Sequence, residues 1–344
     1  MQHNKVPSGR PSRNSILEHL EDAVKQLHLQ FGGLPSPTEA DQIWGSIWVH
    51  EAHHSTALEG NTLVLSQVEQ LLAEGRAVGN LELREYLEVT SYAAAARWVY
   101  AQALGNNDWV GGDLVTLTEI RHIHNLALGA VWDHAPHSAA NEHERPGSFR
   151  RHEIAPFPGG MRPPSWVEVS AAMHDWVALV CTISSADNVM EALAESHAAF
   201  ERIHPFLDGN GRTGRLIVNL ILVRLGYPPL VIYKRQRAKY LAALRRADGG
   251  STGALSELFA RGVTDSLYRF IIPTSAGRDA LVPLTALATK NLSVESMKAA
   301  IVRGRLRAQK GSDGKWRSSR TWLDEYLASK HHRGERQRPL DNLA

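Results

Sequence analysis

One dodecapeptide constrains this 344-residue chain more than any other stretch: His204–Arg215, reading HPFLDGNGRTGR. Pro205 and the glycines at 209 and 211 exclude a regular helix across its first half. The run Leu216–Leu225 then resumes a strongly apolar pattern, which predicts a loop feeding a buried helix. Such a junction offers backbone N–H groups that have no partner within the helix, and these groups bind anions. Arg212 and Arg215 add positive charge, Asp208 can hold a divalent cation, and His204, kept out of a helix by Pro205, suits a general base. The local chemistry therefore points to nucleotide phosphates, Mg²⁺ and proton abstraction. Gly209, Asn210 and Gly211 form a backbone that phosphate can approach closely.

The string resembles the Fic family signature, HxFx(D/E)GNGRxxR, at His204, Phe206, Asp208, Gly209, Asn210, Gly211, Arg212 and Arg215. The resemblance implies transfer of AMP from ATP to a Ser, Thr or Tyr hydroxyl of a target protein. His204 would take the hydroxyl proton, Asp208 would hold Mg²⁺ and Asn210 would add its amide to the α-phosphate. Arg212 would steady the α- and β-phosphates, Arg215 the γ-phosphate, and Phe206 would anchor the loop. The family's Doc-like branch has an altered loop and moves the γ-phosphate; this chain keeps GNGR, which favours AMP transfer. The resemblance also implies a β-hairpin flap that aligns the target by backbone pairing. Arg151–Ile154 and Met161–Arg162 are assigned to it, within a segment, Arg145–Pro164, that holds five prolines and three glycines. Tyr233–Gly250 resembles an element that closes around the nucleotide. Its Tyr240 either stacks on adenine or packs two helices together.

Ser55–Asn61, STALEGN, resembles the family's inhibitory motif, (S/T)xxxE(G/N). The resemblance implies that Glu59 pairs with Arg215 and occupies the γ-phosphate position, since a carboxylate and a phosphate compete for the same guanidinium fork. The same predicted helix contains His50-Glu51-Ala52-His53-His54, which satisfies the zinc-protease pattern H-E-x-x-H. Five loosely defined positions recur by chance far more often than the dodecapeptide, and no glycine–histidine extension follows.

Composition sets the remaining bounds. Apolar content of 43% and charge of 22% are ordinary for a globular protein, and a net charge of +2 carries no global statement about nucleic acid. The single cysteine, Cys181, excludes an intrachain disulfide and fits a cytoplasmic setting. The polar, basic N-terminus does not read as a secretory signal, and no run is apolar enough to span a membrane. Periodicity predicts an all-α chain with a disordered tail over 1–15, and the resemblance implies a helical region carrying the inhibitory helix over 16–110, a Fic helical core with the short β-hairpin flap over 111–270 and a linker over 271–283. Within this frame, Ser36 and Thr38 are candidate caps for the helix ending near Leu58, and Ser66–Glu69 reads as a capping box. Residues 284–330 read helix, turn, helix, strand, turn, strand, helix, resembling a small winged helix-turn-helix, and 331–344 form a basic tail. Between Lys298 and Arg338 there are 12 Lys or Arg against 4 Asp or Glu, a local balance of +8. That clustering makes DNA a candidate partner through residues 284–338. The rival to an enzyme is thus a DNA-binding transcription regulator that uses the Fic fold as a sensor. The target protein can include the chain itself, and a homodimer is a further candidate.

Overall fold

The computed structural model describes residues 11–31, 33–34, 37–104, 113–155, 157, 160–185, 188–275, 281–289, 292–310 and 316–335. It divides into two compact units, Met1–Ser266 and Leu267–Ala344.

The first unit is helical among its described residues: α1 (Arg13–Phe31), α2 (Pro37–Leu58), α3 (Leu65–Glu74), α4 (Leu83–Leu104), α5 (Leu117–His134), α6 (Val169–Val180), α7 (Val189–Ile203), α8 (Asn210–Arg224), α9 (Arg237–Asp248) and α10 (Gly253–Ser266). Its centre is α8, where every residue except Gly211 is buried. A helix that is apolar all round must be enclosed by others, and α4, α5, α7 and α2 enclose this one. Small residues let α4 approach closely, with Ala93, Ala95 and Ala96 buried. The two polar residues inside the apolar run of α8 are satisfied. Asn219 donates to Glu51 Oε1 (2.8 Å) and the Leu230 carbonyl (3.1 Å). Arg224 pairs with Glu119 (2.6 Å). Glu119 also closes the capping box of α5 through the Thr116 N–H at 2.9 Å.

Several boundaries differ from the sequence reading. Helix α1 begins at Arg13, inside the stretch expected to be irregular, while residues 1–10 lie outside the described ones. Thr38 is already within α2, and Ser36 lies outside the described residues. Helix α3 starts after Val64 rather than at a Ser66 cap, because the Gln67 side chain turns back to accept from the Val64 N–H (3.0 Å). The expected hairpin over 151–162 forms no strand ladder among the described residues. Two backbone bonds, Phe157 N–H to the Met161 carbonyl at 2.9 Å and Gly160 N–H to the Phe157 carbonyl at 3.2 Å, close a turn instead. Each proline removes a ladder donor, and five in twenty positions leave too few for a paired strand.

The second unit contains a π-helical turn (Leu267–Ile271), α11 (Ile272–Ser275), β1 (Val282–Pro283), α12 (Leu284–Leu287), α13 (Val294–Val302), β2 (Gln309–Lys310), β3 (Trp316–Ser318) and α14 (Arg320–Glu335). The expected order of helix, helix, strand, strand, helix is present. The added strand β1 was not foreseen; it pairs with the far edge of β3, giving an antiparallel sheet of order β1-β3-β2. The turn expected at Gly311–Gly314 lies outside the described residues. The segments expected as linker and basic tail are partly helical, through α11 and the end of α14 at Glu335. Among the described residues no helix is long and apolar enough to cross a membrane.

Candidate active site

The dodecapeptide lies between α7 and α8. Helix α7 ends on His204, which adopts a left-handed backbone (φ 50°, ψ 59°) and is the one non-glycine with positive φ among the described residues. This conformation costs on the order of 1–2 kcal/mol for an L-residue and turns the chain sharply into the loop. Helix α8 opens on Gly209 (φ 79°), where a Cβ would come within 2.6 Å of Leu128, so both the angle and the space require glycine.

The loop is clasped from inside. Asn210 is buried and bonds the Phe206 backbone twice, accepting from its N–H (2.9 Å) and donating to its carbonyl (2.8 Å). It therefore shapes the loop, a role the sequence reading did not give it when it placed the Asn210 amide on the α-phosphate. Phe206 is fully buried, and the His124 ring stacks on it at 3.7 Å between centroids. His124 Nδ1 accepts the Gly147 N–H (2.7 Å), which leaves Nε2 to donate to the Asp208 carbonyl (2.9 Å). Burial pushes His124 down to about 4, so it stays neutral in this clasp. Sequence reasoning missed His124, since nothing local marks a histidine in the middle of an ordinary helix.

Three charged side chains surround the N-terminus of α8. Asp208 is part-exposed, accepts from the Gly209 N–H (2.6 Å) and pairs with Arg212 (3.3 Å). Burial raises its pKa, but Arg212 and the Gly209 N–H outweigh that, so it lies below its usual value and is ionised. Among the described residues no cluster of three or more His, Cys, Asp or Glu could cage a metal. One ionised, accessible carboxylate fits Mg²⁺, which takes few protein ligands and fills its shell with phosphate and water oxygens. Arg212 is buried, and its Nε and Nη1 make no hydrogen bond among the described residues. Buried guanidinium donors left open in this way are what an oxygen-rich anion would satisfy.

Arg215 is fully engaged. Its Nε donates to Ser55 Oγ (2.7 Å), and its Nη2 donates to the Ser55 carbonyl (3.0 Å) and to Glu59 Oε1 (2.8 Å). Burial penalises the Glu59 carboxylate, but Arg215 prevails and holds it below its ordinary pKa. The carboxylate lies against the start of α8, since a Cβ on Gly211 would come within 2.5 Å of Glu59 Oε1. Ser55, Glu59 and Arg215, separated by up to 160 residues, thus meet as the sequence pattern required.

His204 is half-buried, with Nδ1 3.3 Å from the Glu201 carbonyl and the ring 4.9 Å from that of Phe157. Burial, reinforced by Arg150, lowers it to about 4, leaving a neutral imidazole. Tyr240 corrects the stacking expectation. It is 2% exposed, and its hydroxyl meets His197 Nε2 at 2.7 Å, so its ring packs α9 onto α7 and presents no free face. Glu51 also missed its sequence-level alternative. It is buried, holds Tyr92 (2.8 Å), Tyr100 and Asn219 (2.8 Å), and anchors α2 instead of serving a metal.

Residues 114–222 match the Fic/DOC family. The chain belongs to that family. It is 30% identical over 262 residues to a protein adenylyltransferase Fic from Culex quinquefasciatus, an alignment covering 72% of this chain and 47% of that protein. Identity to the corresponding Drosophila melanogaster protein is 28% over 264 residues, covering 76% of this chain and 49% of the relative. The chain thus spans about half the length of the curated relatives it matches. Among solved structures, Fic-1 (residues 134–508) from C. elegans superposes with a TM-score of 0.61 at 26% identity, covering 75% of this chain and 71% of that one. A Fic domain containing signaling protein from Bacteroides thetaiotaomicron shares the fold with a TM-score of 0.57 at 23% identity, covering 76% and 98% respectively.

Proposed function

We propose that this chain transfers AMP from ATP to a hydroxyl side chain of a target protein, and that α2 holds it inactive through Glu59. His204 Nε2 accepts the proton as the hydroxyl oxygen attacks the α-phosphorus; the P–O bond to the β-phosphate breaks and pyrophosphate leaves. Arg212 offers its open donors to the triphosphate as charge builds on the non-bridging oxygens. Asp208 would hold Mg²⁺, which when bound screens phosphate charge. Arg215 would take the terminal phosphate once Glu59 withdraws.

The observation that carries this reading is the Glu59–Arg215 pair at 2.8 Å, set against the first turn of α8. The carboxylate occupies a place suited to a phosphate, and the two anions exclude each other. The test is to incubate wild type and Glu59→Gly with labelled nucleoside triphosphates and a lysate, then read adduct mass and site by mass spectrometry. An adenylyl adduct stronger in Glu59→Gly is expected. Equal labelling would overturn the inhibition, and a phosphoryl adduct would overturn the reaction.

A second activity has its own support. In the second unit, α12, α13 and the β2–β3 hairpin follow one another in winged-helix order, and Lys298, Arg303, Arg305, Lys310 and Arg320 are exposed. We propose that this unit contacts duplex DNA, the electrostatic term being salt-dependent. Binding to duplex that weakens steeply with salt is expected. Salt-insensitive retention, or none, would leave the unit a protein-docking module.

A further inference from the structure

Arg150 is the largest fully buried side chain among the described residues and lies outside the two sequence motifs. Among the described residues no carboxylate hydrogen-bonds its guanidinium, which instead donates to backbone carbonyls. Nε donates to His204 (2.8 Å), Nη1 to His152 (2.7 Å), and Nη2 to Pro164 (2.7 Å) and more distantly to Ile203 (3.4 Å). Its own N–H donates to the Pro205 carbonyl (2.9 Å). One residue thus gathers three consecutive carbonyls, 203 to 205, and joins them to both ends of the proline-rich loop.

The His204 backbone needs such support. Its left-handed φ is unfavourable for an L-residue, and a residue preceding proline is steered toward extended conformations. Conformations of this kind persist only where surrounding contacts over-determine them. We propose that Arg150 is a positioning residue: its planar fork fixes the left-handed turn at His204 and registers the 152–164 loop against it. Lysine cannot replace the fork, because a single ammonium does not reach four separate carbonyls. Glu144 braces the same loop from below, accepting from the Arg151 N–H and meeting His152 Nδ1 at 2.7 Å. The fixed charge of Arg150 also helps burial keep His204 unprotonated.

The activity part of this inference rests on the adenylyl-transfer reading, so its test includes two readouts that do not. Arg150→Gln and Arg150→Lys are made in the Glu59→Gly background. For Arg150→Gln, kcat is expected to fall about a hundredfold, while KM for ATP stays within about threefold because the phosphate-facing arginines are untouched. Amide exchange should quicken over 149–154 and 203–206 but not in the interior of α4 or α8. The His204 ring titration, followed by NMR, should rise above about 4 in Arg150→Gln without reaching that of a free imidazole, because burial, the larger cause, remains. In Arg150→Lys the charge remains, so exchange quickens while the titration moves little; if the glutamine variant does not fold, this variant decides. Unchanged exchange in both loops, or a KM rise that accounts for the whole loss of activity, would overturn the positioning role. Should Glu59→Gly transfer no nucleotide at all, the reaction reading fails alone, and exchange and titration still judge Arg150.

Discussion

Glu51 and Glu59 belong to the same segment, about 12 Å apart by helical rise, and meet opposite environments. Glu51 is 3% exposed, and two tyrosines and an asparagine fill its oxygens. Burial raises its pKa against the pull of those hydrogen bonds. The Glu59 side chain is 42% exposed and spends one oxygen on a single guanidinium. A buried carboxylate with all its partners in place is costly to move, because every partner would be left unsatisfied. A rim carboxylate with one partner can leave for water, where solvation replaces what it gives up. The two together make a helix fixed at its middle and releasable at its tip, which suits an inhibitor that must withdraw without unfolding the protein.

The largest expected effect tests whether the tip acts on the proposed chemistry. In the Glu59→Gly background, His204→Ala should cut AMP incorporation by about 10²–10⁴-fold, read from initial rates of labelling. Residual labelling near the parent level would remove His204 from its role. Next, Glu59→Gly alone should raise incorporation about 5- to 150-fold, the usual span of a coupling free energy. Its stability should fall less than that of Glu51→Ala, because the Glu59 side chain is 42% exposed and Ser55 still accepts two bonds from the buried Arg215. The middle of the helix should behave the other way round. Glu51→Ala takes the carboxylate from two buried tyrosine hydroxyls and leaves the Asn219 amide with one acceptor fewer, so denaturant unfolding should show a loss of about 2–4 kcal/mol. Any activation it brings should stay below that of Glu59→Gly; equal stability losses at 51 and 59 would erase the contrast between anchor and plug.

The smallest effect is the pH dependence of stability. Burial lowers His124 to about 4 and His197 to about 3, and it lowers His204, with help from Arg150, to about 4. Below 6.5 the unfolded chain takes up protons that these folded imidazoles refuse, so their contribution is lost as pH falls toward 4. Glu201, raised by burial to about 7, and Glu51, also raised by burial, oppose this, because their folded forms hold protons more tightly above 4.5. The three imidazoles prevail, and the thermal midpoint should decline between pH 6.5 and 4 in a calorimetric series. A midpoint that rose over that interval would contradict the neutral imidazoles of the clasp.

Much of the site was legible because its information is local. The spacing within His204–Arg215 encodes a loop, a helix start and two guanidiniums, whatever surrounds them. The Glu59–Arg215 pair was legible for a different reason: each partner stands in its own short pattern. Arg150, His124 and Glu51 were not legible, since their roles come from contacts 41 to 168 residues away that no spacing announces. Arg150 stands beside Arg151 in a loop, and only the packing buries one and exposes the other.

Hydrophobic periodicity, proline and glycine placement, and two short motifs determined the helical class, the loop-to-helix junction and the identity of the groups proposed to face a nucleotide, because these follow from backbone sterics and from charge carried by neighbouring residues. The tertiary structure alone decided that Asn210 turns inward, that Tyr240 is packed away, that the described residues of the proline-rich segment form no strand and that Arg150 holds the His204 turn. Each of these depends on which polar atom finds a partner after burial, and the competition for partners is settled only when distant helices close on one another.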